Sequence, residues 1–332
     1  MANSGPGKSY RKGISLPELF QMFPDDETAE RWFEEQRWGQ VGRPTHCPMC
    51  GCKDQISVVP SKTPLPYWCG SCRRNFSVRT NTIMHRSRIG LQKWVIGMYL
   101  WSTSLKGVSS MKLHRDLNIT QKSAYFMSQR LRGAWSQSGR KFVSMAGSMS
   151  GPVEADETYI GGLEKNKHQS KKLNAGRGGT GKDIVVGIKD RPSNKVAAEV
   201  IPNTKAKTLH SFVEYHSHLD AQVYTDEGKG YLGMNRAHES VKHSVGEYVR
   251  GMAHTNGIES FWAMLKRSHK GTFHKISPKH LQRYVDEFAT RHNLREQDTI
   301  KMMEETVAMM EGKRLTYQEL IKDNGLSNGA RT

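Results

Sequence analysis

Asp156, Asp226 and Glu259 are the residues whose types and settings could do chemistry together; the second and third lie 33 residues apart and the first 70 residues before the second. Residues 153–160 are short, partly β-branched and closed by Gly161 and Gly162, which predicts a strand carrying Asp156. Residues 221–225 form a second apolar run, ended by Asp226 and by the turn formers Gly228 and Gly230, so this carboxylate belongs at the C-terminal end of a strand. Ile258, Phe261, Trp262 and Leu265 recur at helical spacing, and Glu259 flanks their stripe. On such a helix Lys266 projects within roughly 20° of Glu259, two turns on. Three converging carboxylates raise one another's pKa unless a cation sits among them, and oxygen donors of this hardness suit Mg²⁺ or Mn²⁺. Two such ions about 3.5–4 Å apart can drive an in-line displacement at a phosphodiester. Each acid also has an ordinary reading, as a turn former or a solvated helix charge, and Glu154 and Glu157 compete with Asp156 for the strand position.

A second chemical pattern precedes the first. All five cysteines fall between positions 47 and 72, unlike a secreted disulfide framework. Cys47 and Cys50, then Cys69 and Cys72, are two Cys-x-x-Cys knuckles able to surround one tetrahedral, structural Zn²⁺, with Gly51 and Gly70 permitting the turns. Cys52 reads as a spare thiol and His46 as an exposed loop residue. Residues 56–59, 67–69 and 73–79 read as hairpin strands of a zinc ribbon, where Arg73, Arg74 and Arg79 interleave with Phe76 and could track phosphates.

The elements that must carry these groups follow from caps and periodicity. Ser15 and Asp25 or Asp26 open two short helices after a mobile arm. Leu91, Trp94, Val95, Met98 and Tyr99 stripe another helix; Met111, Leu113 and Leu117 stripe the next. Asn118-Ile119-Thr120 is a turn with Thr120 capping a helix whose Ala124, Met127, Leu131 and Ala134 face inward. That outline is helix-turn-helix-like, with Gln121, Lys122 and Ser123 where base edges would be touched and Arg130 and Arg132 towards the backbone. Residues 136–151 read as a linker and 161–181 as an exposed basic loop. Further strands are expected at 183–189 and 195–201 and in 240–245, and helices at 204–219, 277–292, 299–310 and 316–323. The expected domains are an arm with helices (1–45), a ribbon (46–82), the helix-turn-helix-like unit (88–136), an α/β core (150–295) and C-terminal helices with a tail (296–332).

The 332 residues allow about two domains, and a net charge of +18 with pI near 9.7 favours nucleic acid as partner. Neither a membrane span nor an export signal is indicated, so a cytoplasmic protein is expected. His254, His269, His274 and His280 crowd the region of Glu259 as candidate proton carriers or phosphate contacts, His254 foremost.

The order of three strands, a helix, an acidic strand and further helices is that of an RNase H-like α/β unit. Together with the Cys47/Cys50/Cys69/Cys72 ribbon, the Glu154-Ala-Asp156-Glu-Thr-Tyr-Ile-Gly-Gly162 strand, His254-Thr-Asn-Gly-Ile-Glu-Ser-Phe-Trp262 and Leu265-Lys266-Arg267, it resembles bacterial insertion-sequence transposases with a zinc ribbon and a DDE core, of the retroviral-integrase superfamily. The resemblance, over about residues 15–295, implies a mixed sheet with flanking helices and a metal-dependent DNA strand transferase. Asp156, Asp226 and Glu259 would hold magnesium and Lys266 would match a basic residue on the same helix. Some relatives carry Asn in place of the last acid, which brings Asn256 into competition with Glu259. Double-stranded DNA (the element's terminal inverted repeats and target DNA) and a homodimer or larger assembly would be the partners. The rival expectation is a sequence-specific DNA-binding regulator with a catalytically silent core; a stand-alone nuclease is a third.

Overall fold

Reciprocal capping opens the first helix: Glu18 N–H donates to Ser15 Oγ at 3.3 Å while Ser15 N–H donates to the Glu18 carboxylate at 2.6 Å, starting α1 (Leu16–Met22) with Pro17 in its first turn. Asp25 caps α2 (Asp26–Trp38) by accepting from Thr28 N–H at 2.7 Å. The computed structural model describes residues 12–136, 147–162, 168–169, 172, 179, 181–226, 228–241 and 253–326. The chain divides into two units: residues 1–135 with Leu294–Lys322, and residues 136–293 with 323–332. The C-terminal helices expected as a separate piece therefore cluster with the first unit.

In that unit β1 (Ile56–Val58), β2 (Tyr67–Cys69) and β3 (Arg74–Phe76) form an antiparallel sheet in the order β1-β2-β3. Four cysteine sulfurs, of Cys47, Cys50, Cys69 and Cys72, lie within 4.8 Å of one another, with 3.7 Å from Cys47 to Cys72 and 3.6 Å from Cys50 to Cys69. Tetrahedral zinc with bonds of about 2.3 Å needs sulfurs about 3.8 Å apart, so the spacing fits a zinc ribbon. Gly51, at φ 77°, turns the first knuckle and donates its N–H to Cys47 O at 2.8 Å. Cys52 stands outside the group, and His46, half-buried rather than exposed, meets Glu311 at 3.0 Å.

The ribbon is packed on α2. Trp38 is edge-on to Tyr67 at 5.5 Å and to Phe76 at 6.4 Å, and the buried Tyr67 hydroxyl donates to Glu34 at 2.5 Å. Gly42 N–H donates to the other Glu34 oxygen at 2.8 Å, so this buried carboxylate is satisfied from two sides.

The helices of the same unit are α3 (Leu91–Thr103), α4 (Ser110–Leu117), α5 (Gln121–Trp135), α9 (Thr299–Met310) and α10 (Tyr317–Ile321). Trp94, Trp101 and Trp135 fill their core, with Trp135 Nε1–H donating to Thr306 Oγ1 of α9 at 2.9 Å. Asn118, at φ 46°, ends α4, and Thr120 Oγ1 accepts from Ser123 N–H at 3.2 Å to start α5, which realises the expected helix-turn-helix-like outline.

The second unit is built on one mixed sheet. Its strands are β4 (Val153–Ile160), β5 (Asp183–Asp190), β6 (Val196–Ile201), β7 (Gln222–Asp226) and β8 (Ala237–Val241), in the order β6-β5-β4-β7-β8. β4, β5 and β6 pair antiparallel, while β4, β7 and β8 pair parallel. α6 (Ala206–His216) covers one face over Val153, Ala155, Val186 and Ile188. α7 (Asn256–Ser268) and α8 (Leu281–Asn293) cover the other over Ile160, Val185 and Val196. This is the RNase H-like α/β arrangement that the element order implied. Several boundaries differ from expectation: β8 begins three residues earlier than expected, at Ala237, α6 covers Ala206–His216 of the expected 204–219, and residues 278–280 form a 3₁₀ turn before α8. The rest of the expected 240–245 strand, most of the 136–151 linker and most of the 161–181 loop lie outside the described residues.

Tyr67→Phe leaves Glu34 short of a donor in a buried site. We expect urea unfolding of the first unit to show a loss of about 1.5–3 kcal/mol.

Candidate metal centre

Parallel pairing brings the two aspartates together. Val153 lies opposite Val223 and Glu154 opposite Tyr224; Asp156 and Asp226 each follow two residues beyond that last pair. Side chains of a strand alternate between faces, so Glu154 and Asp156 share the face that α7 covers. Carboxylate oxygens of Asp156, Glu157 and Asp226 lie within 4.8 Å of one another. Each has a fixed donor. Trp262 Nε1–H donates to Asp156 Oδ2 at 3.0 Å, Gly228 N–H to Asp226 Oδ1 at 3.0 Å, and the buried Tyr231 hydroxyl to Glu157 Oε2 at 2.7 Å.

Electrostatics mark two of these groups. Burial, then the neighbouring Asp226 and Glu157, push the Asp156 carboxyl up to about 7. Glu157 is also raised, by burial first and by Asp226, against the Tyr231 hydrogen bond that lowers it. A group of hard oxygen donors that repel one another in partial burial is what a divalent cation relieves, so the donor set fits Mg²⁺ or Mn²⁺.

α7 is fastened beside this cluster by a buried pair. Glu154 accepts from Arg191 Nε at 2.8 Å with its Oε1 and from the backbone N–H of Ile258, in the first turn of α7, at 2.9 Å with its Oε2. Arg191 also donates to His254 O at 2.7 Å and stacks over the Tyr224 ring at 4.5 Å. Gly257 is required here, because a Cβ would stand 2.7 Å from Glu154 Oε2 and from Lys189 Nζ. Gly187 likewise admits the Trp262 ring, which a Cβ would approach to 2.7 Å. Glu154 is thus a helix anchor, and of the two acids that competed with Asp156 only Glu157 joins the cluster.

Glu259 is outside the three-acid group. It is exposed in the first turn of α7, accepts from Thr255 Oγ1 at 2.7 Å, and stands one turn before Trp262, the partner of Asp156. Asn256 is exposed at the helix start and Lys266 exposed near its end. His254 is half-buried, with Nδ1 3.4 Å from Glu154 Oε1. Tyr231 and Trp262 as carboxylate donors were not anticipated. Trp262 was legible only as part of the apolar stripe, and Tyr231 carries no sequence signal beyond its nearness to Asp226.

Residues 148–293 match a known domain model. It is the ISXO2-like transposase domain. The match takes in the whole acid cluster and the sheet that holds it, and the mixed α/β fold agrees with a transposase core of the DDE type. No curated protein matches the sequence. Among solved structures, the chain is similar to one in the cryo-EM structure of the simian T-cell lymphotropic virus intasome in complex with PP2A regulatory subunit B56 gamma, at 13% identity and a TM-score of 0.25. The similarity covers 55% of this chain and 60% of that one, so the chain spans less than two thirds of that solved chain.

Outside the transposase-domain match, the residues expected to face DNA divide into two sets. Arg73, Arg74, Gln121 and Lys122 are exposed, and Ser123 is half-buried at its cap. Arg79, Arg130 and Arg132 are turned inward. Arg79 donates to Ser87 O and Ile89 O at 3.0 and 2.6 Å. Arg130 donates to Leu315 O and His85 O at 3.3 and 3.1 Å, and Arg132 lies over the Trp101 ring at 5.0 Å with 1% exposure. Helical spacing alone cannot tell an outward arginine from one whose neighbours offer it carbonyls.

The raised Asp156 pKa carries a sign. Folded, the group titrates near 7 against an ordinary value of 3.8, so between those pH values the folded state binds the extra proton. Metal-free protein should therefore lose stability as pH rises from about 4 to about 7, by up to about 1.4 kcal/mol per unit, and Asp156→Asn should flatten that slope in thermal melts. An unchanged slope in the variant would contradict the assignment.

Proposed function

We propose that the chain is a transposase that binds the ends of its insertion sequence and catalyses metal-dependent DNA strand cleavage and strand transfer. The observation that carries this is the meeting of Asp156, Glu157 and Asp226 on adjacent parallel strands, with the Asp156 carboxyl raised by burial and then by its acidic neighbours, inside the segment that matches a transposase domain. Asp156 and Asp226 would hold Mg²⁺ or Mn²⁺, with Glu157, Glu259 or Asn256 as third ligand; when bound, two ions supply stabilisation of the attacking and leaving oxygens at a phosphodiester. Trp262 and Tyr231 orient the carboxylates Asp156 and Glu157 through the hydrogen bonds they donate. The Glu154–Arg191 pair fixes the helix on which Glu259 and Lys266 stand, so that Lys266 could contact a phosphate of the substrate.

In the first unit the cysteine group would hold one structural Zn²⁺, and exposed Arg73, Arg74, Gln121 and Lys122 would face DNA. Transfer needs two ends held together, so a dimer or larger assembly on DNA is part of the proposal. Among the described residues no helix is long and apolar enough to cross a membrane, and we place the reaction on cytoplasmic DNA.

Nicking and joining of end DNA with Mg²⁺ or Mn²⁺ test this reading. Asp156→Asn and Asp226→Asn should each reduce both activities by more than the roughly 10–100-fold that loss of a supporting residue costs, with DNA binding retained. Glu157→Gln, Glu259→Gln and Asn256→Ala, measured alongside, identify the third ligand by an equal loss. A wild-type protein that binds end DNA and never cuts it would instead favour the silent regulator, and cutting without joining a nuclease.

A further inference from the structure

A groove of about 890 Å³ in the first unit is lined by arginines that come from three separate segments: Arg74 of β3, Arg86 and Arg88 of the stretch before α3, and Arg314 between α9 and α10. No carboxylate is among its described lining residues. Met49 and Leu65, 44% and 39% exposed, also line it.

The arginines are presented by backbone that other side chains hold in place. Arg79 reaches up to donate to Ser87 O and Ile89 O, on either side of Arg88. Arg130, buried within α5, donates to both His85 O and Leu315 O, and so ties the segment carrying Arg86 and Arg88 to the segment carrying Arg314. Trp94 Nε1–H donates to Ser87 Oγ at 3.2 Å. Arg86 itself sits at φ 55°, a left-handed conformation in which glycine or asparagine would be cheaper by about 1 kcal/mol. A long cation kept in that conformation, on a segment pinned from both sides, is pre-organised for a ligand. The field inside the groove also shows on His85, which burial and then Arg314, Arg86 and Arg130 hold below its ordinary value.

We propose that this groove grips the phosphodiester backbone of duplex DNA, with Arg74, Arg86, Arg88 and Arg314 as the phosphate contacts and Arg79 and Arg130 as the buried positioning residues that set them. The site rests on the reading that the chain binds DNA, and it places the grip at residues outside those that the ribbon and helix-turn-helix patterns single out, apart from Arg74. A guanidinium lined up with phosphate oxygens forms two charge-assisted hydrogen bonds, and each such contact releases counterions from the duplex. Binding here is independent of base sequence and serves to set the register of the protein on its end DNA.

The experiment is a salt titration of full-length protein binding a 30-base-pair duplex, followed by fluorescence anisotropy, with a single strand of the same sequence as a second arm. Arg88→Gln with Arg314→Gln should lower duplex affinity at least about tenfold and reduce the slope of log affinity against log salt by about 2, near 0.9 per lost contact. Arg86→Asn should weaken binding while its melting temperature holds or rises, because asparagine relieves the left-handed backbone; a misfolded variant would lose both. Lys301→Gln, on the exposed side of α9, should leave affinity and slope unchanged. Unchanged duplex affinity and slope in folded Arg88→Gln/Arg314→Gln, while wild type binds, would overturn the groove and leave the transposase reading intact. Binding confined to the single strand would overturn the duplex assignment. Asp226→Asn protein that binds duplex as wild type does and fails to cut separates the acid cluster from the groove.

Discussion

Mutual repulsion among Asp156, Glu157 and Asp226 is the constraint around which the second unit is built. Their oxygens lie within 4.8 Å of one another, and burial, with Asp226 and Glu157 adding to it, pushes the Asp156 carboxyl up to about 7. Parallel pairing of β4 with β7 brings the two strands alongside each other, and Asp156 and Asp226 follow two residues beyond the last paired residues. The fold meets the cost with neutral donors, an indole, a phenol and a backbone amide, which orient the oxygens without neutralising them. An arginine among the acids would have settled the electrostatics. The half-buried Arg191 is instead engaged two residues away, on Glu154.

That engagement explains why the acids of one strand differ in their settings. Glu154 and Asp156 share a face, yet Glu154 is 2% exposed, paired with Arg191 and bonded to the backbone of α7, while Asp156 is left to its acidic neighbours. Breaking one partner of a buried, hydrogen-bonded ion pair costs about 3–5 kcal/mol, so the pair holds α7 firmly. The first unit uses the same device. Arg79, Arg130 and Arg132 are drawn inward by carbonyls, a hydroxyl and rings, and the exposed cations are then carried by segments whose backbone those arginines fix.

Much of this was legible in the sequence where a local rule governs. The caps at Ser15, Asp25 and Thr120, the four-cysteine spacing and the apolar stripe of α7 follow from neighbours within a few residues, and all recur in the structure. Asp156 and Asp226 were found because a strand end and a turn leave a chemical trace. What escaped depends on distant pairing. Glu157 could be separated from Glu154 only by knowing which face α7 covers, and Tyr231 only by knowing which strand lies beside β7. Glu259 stands one helical turn before Trp262 and outside the three-acid group, a distinction that no periodicity resolves. The inward arginines escaped for the same reason.

The central claim is that these acids meet in order to hold a divalent cation, and crystals soaked in Mn²⁺ test it most directly. An anomalous peak bridging Asp156 and Asp226, with oxygens at roughly 2.0–2.3 Å, is the expected result, and the oxygen that completes its shell names the third ligand. Well-ordered aspartates with no peak within coordinating distance of either, at Mn²⁺ concentrations that support cleavage, would contradict it.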